Sequence, residues 1–200
     1  MKKIFLSIIF LLVSTQLVFS KEVRTRFGFY IDLPNYFSQL DANIDELLKK
    51  DKEGIINKEF FDDLMAGTAK SDMNIEYLFP IKKYNPETNN INMTMQKQDF
   101  REIMAYTIDE LCPEMKIMME GLYNKRVKTY QCVKNPNNIK RKSSPAVYLF
   151  ELDGPFNNQR AHMVMLQTRR GYSTTFTLGC ETKNCSNLVR DFISIINSRS

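Results

Sequence analysis

Apolar and polar positions alternate with period two across residues 23–33, VRTRFGFYIDL. Phe27, Phe29, Ile31 and Leu33 share one face of a predicted strand; Arg26, Gly28, Tyr30 and Asp32 share the other. Pro34 ends it. The period then becomes helical. In NIDELLKKDKE, Asn43 can cap, Ile44, Leu47 and Leu48 fall on one face, and Gly54 is the stop. In NKEFFDDLMAG, Asn57 can cap, Phe60/Leu64 and Phe61/Met65 are i,i+4 pairs, and Gly67 is the stop. NIEYLFPIKK and NNINMTMQKQ predict a strand pair around the turn formers of YNPETNN. Pro80 marks an edge or a bulge in the first of them.

Asp99 opens a longer helix, with Glu102 three residues on in a capping-box spacing. Phe100, Ile103, Met104, Thr107 and Leu111 form its apolar stripe. Pro113 predicts a break and a new first turn. Met115, Met118, Met119 and Leu122 then form a second stripe, and such methionines are adaptable core filler more often than a binding groove. KRVKTYQCVK is a strand and NPNNIKRKSSP a polar loop. AVYLFELD, RAHMVMLQT and YSTTFTLGC, joined by GPFNNQ and RRG, complete an antiparallel meander. In SNLVRDFISIIN the residues Leu188, Val189, Phe192, Ile195 and Ile196 share a helical face, with Ser186 or Asn184 as cap. This order predicts an α+β fold, an α/β/α sandwich on a largely antiparallel central sheet.

The first twenty residues stand outside that pattern. Lys2 and Lys3 precede an apolar run from Ile4 to Val13, and Val18 and Ser20 fit the −3 and −1 positions of a cleavage site. That is the form of a secretory signal peptide over 1–20. The run is shorter than the ~20 apolar residues of a spanning helix. No cysteine follows the cut, so no lipid anchor is expected. Residues 21–200 are then a single domain with no stable membrane insertion, and we expect a monomer. The formal charge of +5 falls to +3 once Lys2 and Lys3 leave, which is mildly basic and no nucleic-acid signature. The MKKI start and the Lys/Asn/Ile-rich composition point to a bacterial source.

The four cysteines agree with export. Cys112, Cys132, Cys180 and Cys185 allow two disulfides in three connectivities. We favour Cys112–Cys132, closing a loop worth ~3 kcal/mol in the chain-entropy model, and Cys180–Cys185, clipping a strand end to a helix start. Zinc is the rival reading. The C-x4-C spacing fits one ligand pair, but Cys112 and Cys132 match no finger or ribbon, so no metal is expected.

His162 is the chain's single histidine and must carry most enzymatic hypotheses. It shares a strand face with Val164 and Leu166, where a histidine is more often a packed core residue than a base. No G-x-S-x-G elbow presents a nucleophile. The pairs Asp45/Glu46, Asp62/Asp63 and Asp109/Glu110 are adjacent on helices and do not face each other. No glycine-rich phosphate loop or calcium-loop spacing occurs. No catalytic residue and no cofactor are therefore expected. The basic tips are Lys140-Arg141-Lys142 and Arg169-Arg170. Exposed loops on a rigid sandwich are where recognition sits, and positive charge speeds encounter with an acidic surface.

FGFYIDLPNYF at the start, NINMTMQK before a long helix, and the closing MVMLQTRRGYSTTFTLGC…LVRDFISIINS resemble the PsbP-like family. That family joins PsbP, the Ran-binding Mog protein and DcrB-type periplasmic proteins in one fold. The resemblance covers most of residues 21–200 and rests on strands and turns rather than on chemistry. It departs from the usual pattern in its four cysteines and its lack of tryptophan. It implies a non-enzymatic binding or accessory protein, periplasmic or secreted, acting on a protein partner through contacts. The alternatives are a secreted hydrolase using His162 as general base, and a thiol-redox protein.

Overall fold

The computed structural model describes residues 20–39, 74–81, 83–97, 105, 107–123, 130–134, 137–140, 148–153 and 159–200. The helices expected at 43–53 and 57–67 and the capping box expected at Asp99 lie outside the described residues, as does the expected signal segment up to residue 19. In chain order the elements are β1 (Ser20–Arg24), β2 (Tyr30–Pro34), β3 (Ser38–Gln39), β4 (Asn74–Phe79) and β5 (Asn90–Lys97). Then follow α1 (Ile108–Tyr123), β6 (Tyr130–Lys134), β7 (Tyr148–Asp153), β8 (Gln159–Arg169), β9 (Tyr172–Glu181) and α2 (Thr182–Ser198). Seven strands form one sheet in the order β3-β4-β5-β9-β8-β7-β6, antiparallel throughout.

The single strand expected over 23–33 is a hairpin. β1 and β2 pair with each other as a separate two-stranded sheet. Between them Gly28 takes φ 90°, which a residue without Cβ adopts readily. Its N–H donates to the Thr25 carbonyl at 3.0 Å, and the Thr25 N–H and hydroxyl both donate to Phe29 O at 2.8 Å. Alternation predicts faces correctly here but is blind to the turn inside it. Ile31 and Leu33 are fully buried, and Phe27 and Phe29 pack against the same cluster.

The register divides the main sheet into two faces. Leu78, Ile91, Leu178 and His162 stand in one cross-strand row. Met93, Phe176, Val164, Leu166 and Cys180 share their face and their burial. Helix α2 covers it with Leu188, Phe192, Ile195 and Ile196, all inaccessible to solvent, and the β1–β2 hairpin lies alongside. Each such side chain contributes roughly 1.5–3 kcal/mol on burial. The row Cys132, Phe150, Met163, Thr177 runs along the opposite face, where Ala161, Met163 and Phe79 are buried. A disulfide from Cys132 to Cys112 ties α1 to that side. A helix on each face makes the α/β/α sandwich.

Two helix boundaries differ from the sequence reading. Pro113 lies inside α1 rather than at a break, and the chain is non-helical instead at Thr107, between helical Ala105 and Ile108. The cap is Thr107: its N–H and hydroxyl donate to Glu110 Oε2 at 2.7 and 2.8 Å, and the Glu110 N–H returns a bond to Thr107 Oγ1 at 3.3 Å. That reciprocal box fixes the start, and the same two bonds hold the Glu110 carboxyl below its usual value. Helix α2 begins at Thr182, so Asn184 and Ser186 lie inside it rather than capping it. β9 feeds the helix directly, and Asn184 is taken up by another partner. Its amide donates to Asn89 Oδ1 at 3.3 Å, and that same oxygen accepts the Glu181 N–H at 3.1 Å. Pro80 follows β4 instead of interrupting it.

Candidate functional site

Both favoured disulfides are present, with Cα–Cα distances of 6.1 Å for Cys112–Cys132 and 5.3 Å for Cys180–Cys185. No described cysteine is free. His162 lies where its strand face predicts, 6% exposed beside Val164 and Leu166. Leu178 stands opposite it on β9 and the backbone of Glu151 opposite it on β7. What the strand pattern could not show is its neighbour. A ring nitrogen of His162 and the sulfurs of Cys180 and Cys185 all lie within 4.8 Å of one another, and all three residues are buried. A ring 6% exposed offers almost no face to a substrate.

Two of the predicted basic residues, Lys140 and Arg170, lie toward one end of the sheet. β6 ends at Lys134, which pairs with Tyr148, and Tyr148 pairs with Met165 of β8. β6 therefore ends at the side of the sheet toward which β8 runs, and the β8–β9 tip turns there. Lys97 pairs with Tyr172 at the same end. Helix α2 runs back from the far end, so its last turn meets the loop. Asn197 accepts the Lys140 N–H at 2.7 Å and donates to the Asn138 carbonyl at 2.8 Å. Lys140, Arg170 and Lys97 are exposed. Arg169 closes β8, with only its backbone described, and Arg141 and Lys142 lie outside the described residues. Lys97 is the cation that sequence reasoning missed; only the pairing of β5 with β9 brings it to this end.

A second cluster was also missing from the sequence reading. The Tyr36 hydroxyl donates to the carboxylate of Asp191, which is buried in α2. Burial, and then the bond to Asp191, push the Tyr36 phenol above its ordinary value. Tyr84 meets the Tyr36 ring edge-on at 6.1 Å between centroids. The Lys83 ammonium lies 4.8 Å from one ring centroid and 5.2 Å from the other, within cation–π range. The cluster latches the segment after β2 to α2. The signal available was Asp191 itself, an acid on the apolar face of the closing helix.

No helix among the described residues is long and apolar enough to cross a membrane. No family model matches the chain, and no curated protein matches it. Among solved structures it is similar to the solution structure of cyanobacterial PsbP (CyanoP) from Synechocystis sp. PCC 6803. The TM-score is 0.55 at 10% identity, over 94% of this chain and 95% of that one. Identity this low speaks for the fold and leaves the chemistry of individual positions to this chain's own geometry. The protein has a PsbP-like fold, as its strand and turn pattern predicts.

Proposed function

We propose that this is an exported, non-enzymatic accessory protein of the bacterial cell envelope or secreted fraction, which binds an acidic protein partner through the basic end of its sheet. The observation that carries the reading is the convergence of exposed cations from separate chain segments, Lys97, Lys140 and Arg170, at that end. Arg141, Lys142 and Arg169 are their sequence neighbours and belong to the same proposed surface. Clustered charge of one sign steers encounter and makes the association rate sensitive to salt.

Two observations support the rest. Paired cysteines fit an oxidising compartment. The burial of His162 leaves the hydrolase alternative without an accessible imidazole. The test is a cross-linked pull-down from the source cell with wild-type protein, His162→Ala, and a charge-reversed variant carrying Glu at 140, 141, 142, 169 and 170. The reading expects one acidic protein recovered by the first two, lost with charge reversal and weakened by salt. Equal recovery by the charge-reversed variant overturns it.

A further inference from the structure

The meeting of His162 with Cys180 and Cys185 goes beyond partner binding and does not depend on it. From this geometry we infer that these three residues form, once their disulfide is reduced, a buried one-nitrogen, two-sulfur site for a thiophilic divalent ion of the Zn2+ type. The donor atoms already lie within 4.8 Å of one another. Tetrahedral zinc holds imidazole nitrogen and thiolate sulfur with donors about 3.5 Å apart. Opening the S–S bond lets the sulfurs move apart while the imidazole closes in, a rearrangement of side chains rather than of the fold.

Three further observations favour a site that persists without the S–S bond. The strand-to-helix corner carrying both cysteines is held independently by Asn89, which is fully buried and accepts from Glu181 N and Asn184 Nδ2. The Asn89 amide donates to the Asn85 carbonyl at 2.9 Å, so the corner is tied to the β4–β5 turn. Cys185 Sγ lies 3.3 Å from the Cys180 carbonyl oxygen, which gives the reduced thiol an acceptor before a metal arrives. The surroundings also select the ion. Leu178, Leu188 and Val164 make an apolar shell in which net charge is costly. Two thiolates and a neutral imidazole on Zn2+ sum to zero, whereas a cuprous ion leaves one negative charge.

The chemistry balances with a dithiol as reductant. Its two sulfhydryls become a disulfide as the Cys180–Cys185 bond breaks, and each cysteine sulfur takes one proton. The ion then displaces both protons to solvent, and a His162 ring nitrogen donates its lone pair. Three protein donors leave one position for a water.

Co2+ serves as the spectroscopic probe for Zn2+. The proposal expects the protein reduced with a dithiol, and its Cys112→Ser/Cys132→Ser form, to bind one Co2+ with a thiolate-to-metal charge-transfer band. Zn2+ should abolish that band, and the oxidised protein should not show it. His162→Ala should weaken binding by roughly tenfold or more and shift the ligand-field bands. Should the double serine variant fail to fold, the reduced wild-type chain decides, since Zn2+ must then raise its unfolding midpoint. The same affinity and spectrum in His162→Ala, the absence of one-to-one binding, or a midpoint unmoved by Zn2+ each overturn the site.

Discussion

The side-chain oxygen of Asn197, in the last turn of α2, accepts the backbone N–H of Lys140 at 2.7 Å. The amide of the same residue donates to the Asn138 carbonyl, and Ile139 between them is only 4% exposed. A loop that reads as wholly polar is thus fastened by one apolar plug and one bidentate asparagine. Asn197→Ala removes both hydrogen bonds, and at about 1 kcal/mol each the loss of stability is about 1–2 kcal/mol. If Lys140 contributes to binding through its fixed position, partner affinity falls although no charge is lost. Asn197→Asp keeps the acceptor for Lys140 and falls less. Denaturant titration alongside binding measures both; unchanged affinity in the alanine variant separates the loop's position from recognition.

Tyr36 and Asp191 make a pH prediction. Burial and the bond to Asp191 raise the Tyr36 pKa in the folded chain above its ordinary 10.0. The protonated phenol is therefore favoured by folding. Its contribution is fully present below pH 10 and declines as pH rises above that value, because the unfolded chain releases the proton first. Tyr36→Phe should flatten this alkaline limb. At neutral pH it should also cost about 1–3 kcal/mol, since Asp191 keeps its burial and loses a donor. Urea unfolding at pH 7 and at pH 11 checks both parts; an equally steep alkaline decline in the phenylalanine variant counts against Tyr36 as its source.

Legibility in the sequence followed the range of the interactions concerned. Period-two alternation places Ile31, Leu33, His162, Val164 and Leu166 on the core face, because burial on a pleated sheet is set by position along one strand. The favoured cysteine pairs were readable because both span short loops. The break before α1 and the start of α2 were not. Thr107 competes with Pro113 through a bond to Glu110 that any nearby Ser, Thr or Asp could have made, and Asn184 is diverted by Asn89 from a distant turn. The cluster of His162 with Cys180 and Cys185 was invisible for the same reason: the register of β8 against β9 creates it. Lys97 joins the basic end only through the pairing of β5 with β9.

The two disulfides should contribute unequally. Cys112 and Cys132 are 20 residues apart, Cys180 and Cys185 only 5. Chain entropy assigns about 3 kcal/mol to the longer closure and about 2 kcal/mol to the shorter. Paired alanine substitution of Cys112 and Cys132 should therefore lower stability more than that of Cys180 and Cys185, and it should release α1 from the sheet face. Denaturant midpoints of the two double variants, with helix content followed by circular dichroism, test the order. The reverse order would mean that packing at the strand-to-helix corner outweighs loop closure.

Gly171, at the tip between β8 and β9, takes φ 76°, and a Cβ built there would meet nothing within 4 Å. The requirement for glycine is thus conformational and not steric. Placing an L-residue in the left-handed region costs about 1–2 kcal/mol, and asparagine pays less of it. Gly171→Ala should lower stability by about that amount, with Gly171→Asn in between. The tip carries more than a turn. The register shifts between Gln167 and Arg169, and Thr168 bonds Thr174 side chain to side chain at 2.8 Å across it. That irregularity and the left-handed glycine together set the direction in which Arg170 leaves the sheet. Gly28 offers an internal control, since it has φ 90°, an equally empty Cβ site and a place in the β1–β2 turn. Gly28→Ala should cost similar stability and leave partner affinity unchanged, whereas Gly171→Ala should lower both. Measuring unfolding and binding on the two variants separates the strain from its consequence. If both lose affinity equally, global destabilisation is the cause and the tip holds no special place in recognition.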